Sequence, residues 1–314
     1  MSSTSTPQHD DLLIACDRAR TAELLDFHQL VDAIADAALE LEAGRILSPE
    51  RMVVPMGNGG VMLSMPATAH DIGIHKLVNV HPGNADFDLP TIHSSVTVCD
   101  AVTGKIQCLL DGPEVTGRRT AGVTLLAMRT ALSEAPKHIV MYGTGVQARY
   151  HVQAINAFYP KATLWVAGRT LESSQAFCKR YQHLHGHLKA CGQELPEQAE
   201  VIILVTTSTT PLYNLPAQEG RLVIGVGAFK PEMAEIGADT LAGSTLIADD
   251  PAGARHEAGD LIQAGIDWTQ VHSLAAMLKG TTPTQQPLVF KSVGTAAWDL
   301  AAARTALKSL HLTD

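Results

Sequence analysis

The chain has no clustered stripe of Lys or Arg, no Cys-x-x-Cys spacing, no apolar run long enough for a bilayer and no internal repeat. Its 23 Lys and Arg are outnumbered by 32 Asp and Glu, for a formal charge of −9. That balance argues against a nucleic acid or an anionic membrane surface as partner, and a small anionic substrate would need a local positive pocket. Runs such as VIILV at 201–205 fall far short of the roughly 20 apolar residues that cross a bilayer, so no membrane span is expected. The start, MSSTSTPQHDD, has neither the basic lead nor the apolar stretch of a signal peptide and reads as a disordered lead-in to a cytoplasmic protein. Cys16, Cys99, Cys108, Cys178 and Cys191 form an odd set without paired spacing, which predicts reduced thiols acting as small buried hydrophobes. His183, His185 and His187 alternate in a polar stretch with no acidic or Cys partner at ligand spacing, so they read as surface residues and no metal is expected.

What is present suits a two-domain globular protein: 314 residues, 46% hydrophobic and 18% charged. HQLVDAIADAALELEAG, ending at Gly44, has apolar residues at three-and-four spacing and predicts an amphipathic helix. From 48 to 111 the texture changes to short β-rich runs separated by GNGG, HPGN and the TG at 103–104, as in a mostly antiparallel sheet. A long helix is expected from Val115 to Leu132. After Pro136 strands and helices alternate, which implies a parallel, doubly wound sheet. The tail from about 294 reads as a further helix returning to the first domain, too polar on one face to sit wholly inside. The fold expected is therefore α/β: a doubly wound Rossmann domain at 119–293, plus a discontinuous α+β substrate and dimerisation domain at 1–118 and 294–314.

GTGVQA at 143–148 follows the strand HIVMY and opens a helix, the context that a dinucleotide fingerprint requires. Gly143 permits the tight turn, Gly145 lets backbone approach a pyrophosphate, and Ala148 allows close packing; Thr144, Val146 and Gln147 complete the turn. At the end of the second strand, where Asp or Glu would bond a ribose 2′-hydroxyl, stand Gly168, Arg169 and Thr170. An Arg fork and a Thr hydroxyl suit a 2′-phosphate, so NADPH is expected, with NADH weaker. Thr207 and Ser208 after VIILV, and Val226 after LVIG, fall at the same strand-end edge.

Four segments in order, GIHKLVNVHPGN at 73–84, TGRRTAG at 116–122, GTGVQARYH at 143–151 and VFKSVG at 289–294, resemble the ornithine cyclodeaminase/μ-crystallin family. Ser292, in the last segment, is counted with the cofactor site. The resemblance implies a dimer with its active site in the cleft between the two domains, and marks Arg51, Lys76 and Arg119 as holding a substrate carboxylate. Physical chemistry agrees: Arg119 is expected in the first turn of a helix, where an anion is favoured, whereas Arg118 points about 100° away. Lys76 lies in an apolar strand, where an unpaired ammonium would be costly.

The family holds several chemistries. Its cyclodeaminases carry an Asp in a segment like GGDCPGK, where this chain has GAFKPEM with Phe229 in the corresponding place. That difference, together with Arg169, points away from an ornithine cyclodeaminase; a μ-crystallin-like protein that holds NADPH and a carboxylated ligand with little turnover stays as the alternative that only turnover would separate. The same difference points toward NADPH-dependent reduction of cyclic imine carboxylates, Δ1-pyrroline-2-carboxylate to L-proline and Δ1-piperideine-2-carboxylate to L-pipecolate. Lys76 is the expected proton donor, since a desolvated Lys beside two arginines has a lowered pKa.

Overall fold

The computed structural model describes residues 13–192, 195–284 and 287–312; the lead-in read at 1–11 lies outside them. A short strand β1 (Ile14–Ala15) and helix α1 (Arg18–Leu24) precede α2 (Phe27–Glu42), which Asp26 caps through the N–H groups of His28 and Gln29 and which ends before Gly44 at φ +69°. There follow β2 (Met52–Pro55), β3 (Val61–Thr68), β4 (Ile72–Val80), β5 (Ile92–Asp100) and β6 (Ile106–Asp111). They form a six-stranded sheet in the order β1-β6-β5-β4-β3-β2, antiparallel except where β1 runs parallel to β6.

Helix α3 (Gly112–Ala131) is almost wholly buried and packs on both α2 and α4 (Val146–Phe158), so it joins the two halves of the molecule. Between them β7 (His138–Tyr142) begins the second sheet. The chain continues through β8 (Thr163–Ala167), α5 (Leu171–Tyr181), β9 (Leu188–Cys191), β10 (Val201–Leu204), β11 (Leu222–Gly225), α6 (Ala238–Ala242), β12 (Thr245–Ala248), α7 (Pro251–Glu257) and α8 (Gly259–Gln263). It closes with β13 (Val271–Ser273), α9 (Leu274–Leu278), β14 (Leu288–Lys291) and α10 (Ala296–Ser309). All eight strands are parallel, in the order β13-β12-β14-β11-β10-β7-β8-β9. The α/β fold is as expected, and the order reverses around β7 as in other doubly wound sheets, with ligand sites at the carboxyl strand ends. Buried strands with no polar alternation, such as β10, β11 and β14, fit a sheet covered on both faces.

Two expectations need correction. Helix α10 does return to the first domain, packing on α2, α3, β3 and β4, but it is buried from Ala296 to Ala303 and again from Thr305 to Leu307. Its alanines allow close approach, and its polar stripe is short: Arg304, half-buried, reaches Asp71 at 2.8 Å and Glu40 at 3.0 Å, and Lys308 one turn on is exposed. His185 is likewise a core residue and not a surface one. It is 1% exposed, with one ring nitrogen 2.8 Å from the Ala162 carbonyl and the other 3.2 Å from Asn156 Oδ1. None of the five cysteines forms a disulfide; Cys16, Cys108 and Cys191 are buried and Cys99 and Cys178 half-buried. Among the described residues no helix is long and apolar enough to cross a membrane, and no His, Cys, Asp and Glu group is arranged to hold a metal ion.

Candidate active site

The turn after β7 fits a dinucleotide. Gly143 has φ +122°, and a Cβ there would lie 2.9 Å from the Val205 carbonyl oxygen, so the turn requires glycine. At Gly145, the N-cap of α4, a Cβ would meet nothing within 4 Å, and no side chain caps the helix. The first-turn N–H groups behind Thr144, Val146 and Gln147 are thus left for an anion. Ala148 is fully buried against the sheet.

After β8, Gly168 is held close: its N–H donates to Ser174 Oγ at 2.8 Å, and a Cβ would collide with Ser173 Oγ. Thr170 caps α5, accepting the Ser173 N–H at 3.2 Å; the Glu172 carboxyl is held below its usual range by its own backbone N–H and then by a hydrogen bond from the Thr170 side chain. Arg169 is exposed and has no hydrogen bond or ion pair among the described residues. Of the three residues at this strand end, only Arg169 is an uncommitted donor.

After β10 and β11 the walls of the cleft are tied together from behind by Glu235, a residue that sequence reasoning missed. This fully buried carboxylate accepts the N–H and hydroxyl of Thr206 and the N–H groups of Gly227 and Ala228. Asp260 in turn accepts the N–H groups of Glu235 and Ile236 and pairs with buried Lys291. Burial pushes the Glu235 carboxyl up, against the pull of Lys291 and Thr206. In front of this brace Thr207 is exposed, Ser208 donates its hydroxyl to the Thr210 carbonyl at 2.6 Å, and Val226 is 8% exposed.

Strand β14 lies between β11 and β12, so the segment after it emerges at the same sheet edge. Asp249 organises that segment, accepting Ser292 Oγ at 2.7 Å, the Val293 and Gly294 N–H groups at 3.0 Å and the Trp298 indole N–H at 3.1 Å. Ser292 is therefore buried and committed to Asp249, within the frame of the cleft.

Against this segment the structure brings together the three basic residues. Lys76, in the middle of β4 opposite Met65 and Val96, is 2% exposed, and its Nζ lies 3.0 Å from Asp299 Oδ1 on α10. Arg119 Nε lies 3.4 Å from the same oxygen. Its guanidinium packs under Gly294, at φ +79°, where a Cβ would come within 2.7 Å of Nη1. Arg51 donates to Glu257 at 2.8 Å and to the Gly294 carbonyl at 3.2 Å. Arg118 is turned away, bonded to Glu114 and the Leu25 carbonyl and lying over the Phe27 ring. Burial, then Arg119 and Arg51, push the Lys76 ammonium down to about 8, against the opposing pull of Asp299. Sequence reasoning missed Asp299 too; its one signal was a lone carboxylate in the alanine-rich run AAWDLAAA.

A family model described as the ornithine cyclodeaminase/mu-crystallin family matches residues 14–311. The Δ1-pyrroline-2-carboxylate reductase 1 of Burkholderia multivorans is 52% identical over 295 residues, covering 94% of this chain and 95% of that protein. The Δ1-pyrroline-2-carboxylate/Δ1-piperideine-2-carboxylate reductase of Azospirillum brasilense is 51% identical over 295 residues, with the same coverage of 94% and 95%. Among solved structures, the Thermococcus litoralis Δ1-pyrroline-2-carboxylate reductase in complex with NADH and L-proline superposes with a TM-score of 0.84. Its sequence identity is 24%, over 96% of this chain and 98% of that one.

Proposed function

The chain belongs to the ornithine cyclodeaminase/mu-crystallin family, and we propose that it is a cytoplasmic NADPH-dependent reductase of cyclic imine carboxylates, forming L-proline and L-pipecolate. The observation that carries this reading is the convergence of Arg51, Lys76 and Arg119 on the segment that leaves the parallel sheet after β14, at the same carboxyl-end edge as the glycine turn, with β11 and β10 between them. Arg51 pairs with Glu257, and Lys76 and Arg119 share Asp299, so the cations are held in place at the segment where a substrate carboxylate would be received. When bound, the nicotinamide supplies hydride to the imine carbon.

The residues of the chain supply the rest. Arg51 and Arg119 orient the carboxylate, and Lys76 donates a proton to the ring nitrogen so that the carbon becomes electrophilic. An ammonium poised near 8 is well matched to that task at neutral pH. Gly143 to Gln147 cradle the pyrophosphate and Arg169 reads the 2′-phosphate; Thr207, Ser208 and Val226 wall the nicotinamide, while Ser292, expected with them, is buried and serves the frame through Asp249. The exposed Phe229 offers no carboxylate for a distal ammonium, which supports a reductase over a cyclodeaminase.

The same reading assigns 1–118 with 294–314 to substrate binding and dimerisation and 119–293 to the cofactor. A homodimer is supported by β2, an edge strand exposed along its whole length that carries Met52, Val53 and Val54 into solvent. Five cysteines outside any disulfide accord with the cytoplasm. The test is oxidation of NADPH on addition of either imine; release of ammonia from L-ornithine instead would favour the cyclodeaminase.

A further inference from the structure

Lys76, Arg119 and α10 meet at one atom. Asp299 is fully buried, its Oδ1 lies 3.0 Å from Lys76 Nζ and 3.4 Å from Arg119 Nε, and its Oδ2 has no hydrogen-bond partner among the described residues. A buried carboxylate with an orphaned oxygen is costly to a fold, and Asp299 is held in that position by the two buried cations it faces, Lys76 and Arg119. We propose that Asp299 is a positioning residue for the reduction: it seats Lys76 and Arg119 side by side on one oxygen and keeps Lys76 protonated beside the substrate nitrogen. This rests on the reading of Lys76 as proton donor.

The groups facing Lys76 decide the sign. Asp299 comes from α10, Arg119 from α3 and Arg51 from the segment before β2, while its neighbours on β3 and β5 are the uncharged Met65 and Val96. Burial and both arginines favour the neutral amine; Asp299 alone favours the ammonium. In the proton step the ring nitrogen gains the proton that Lys76 loses, and the neutral Lys76 amine regains one from water before the next turnover. Activity is therefore present below the Lys76 pKa and lost as pH rises through it. Without Asp299 that loss sets in at lower pH.

The experiment is Asp299→Asn, read in two ways: the alkaline limb of kcat with Δ1-pyrroline-2-carboxylate, and the titration of Lys76 followed by NMR in protein labelled with 13Cε-lysine, assigned with Lys76→Met. Both midpoints are expected to move to lower pH together, by at least about one unit, with kcat at neutral pH falling about twofold for a one-unit shift and about tenfold for a two-unit shift. Midpoints that stay in place in a folded variant overturn the proposal. If Asp299→Asn does not fold, Asp299→Glu carries the test: charge is kept while the carboxylate is displaced, so the limb stays and kcat drops, and an unchanged kcat overturns the positioning role. Failure of the wild-type protein to reduce the imine would refute the proposed function instead. The NMR titration, which needs no turnover, would still decide whether Asp299 holds the proton on Lys76.

Discussion

Replacing Arg169 with alanine isolates the choice between NADPH and NADH, because the side chain holds nothing else. It is exposed at the end of β8 and has no hydrogen bond or ion pair among the described residues, so its removal should alter stability by no more than about 0.5 kcal/mol. Thr170 is engaged in capping α5, and the Gly168 N–H is taken by Ser174, so neither can replace the lost donor. A charge-assisted Arg–phosphate pair contributes roughly 1.5–3 kcal/mol, which corresponds to roughly a 10- to 100-fold rise in the KM for NADPH. The ribose 2′-hydroxyl of NADH has no such charge to lose, and its KM should change less than about threefold. The assay is initial velocity against each cofactor at saturating imine, with a thermal melt to show the fold intact. Equal effects on the two cofactors, or no effect on NADPH, would refute Arg169 as the phosphate reader.

Lys76→Ala should cut kcat by at least about 100-fold and weaken imine binding, since it removes both a proton donor and a carboxylate partner; unchanged turnover would eliminate the donor role. It also leaves Asp299 short of a partner in a fully buried position, and a thermal melt should show a destabilisation on the order of 3–5 kcal/mol. In the wild-type protein kcat should decline as pH rises through about 8, where Lys76 loses its proton, and a rate flat to pH 10 would contradict this. Gly143→Ala forces a side chain onto φ +122° and into the Val205 carbonyl, and cofactor binding followed by NADPH fluorescence should be lost or sharply weakened; wild-type affinity would show the turn free to adjust. Val53→Lys, on the exposed edge strand, should shift the sedimentation profile from dimer to monomer, and an unaltered profile would place the interface elsewhere.

The parts of the fold most legible in the sequence were those whose signal is local. The strand HIVMY, the glycine turn and the helix after it coincide with β7, Gly143–Gly145 and α4, because a strand-end glycine at positive φ leaves a mark in a few residues. The long α3 and the antiparallel β3 to β6 were readable from periodicity. Strands β9, β13 and β14 went unread, since three or four residues carry too little pattern, and the place of β14 between β11 and β12 is set by pairing over more than 40 residues. The burial of α10 was misjudged because its Arg304 and Asp299 look like a solvent face until Asp71, Glu40 and Lys76 are seen across from them.

The candidate site divides in the same way. Lys76 and Arg119 stood out as cations in apolar or helical settings, and their conjunction around one oxygen is a tertiary fact. Asp299, Glu235 and Asp249 each act through backbone or side-chain groups far away in sequence. A carboxylate that receives the N–H groups of Thr206, Gly227 and Ala228 has no sequence signature beyond being an acid among apolar neighbours. For Thr170 and Ser292, placement at the strand ends was visible but their engagement with the α5 cap and with Asp249 was not.

The central claim is tested most directly by the absorbance of NADPH when the purified protein meets Δ1-pyrroline-2-carboxylate or Δ1-piperideine-2-carboxylate, with NADH in a parallel cuvette. Rapid oxidation of NADPH, faster than that of NADH, with L-proline or L-pipecolate as product, is the predicted result; no oxidation of either cofactor with either imine would contradict the account.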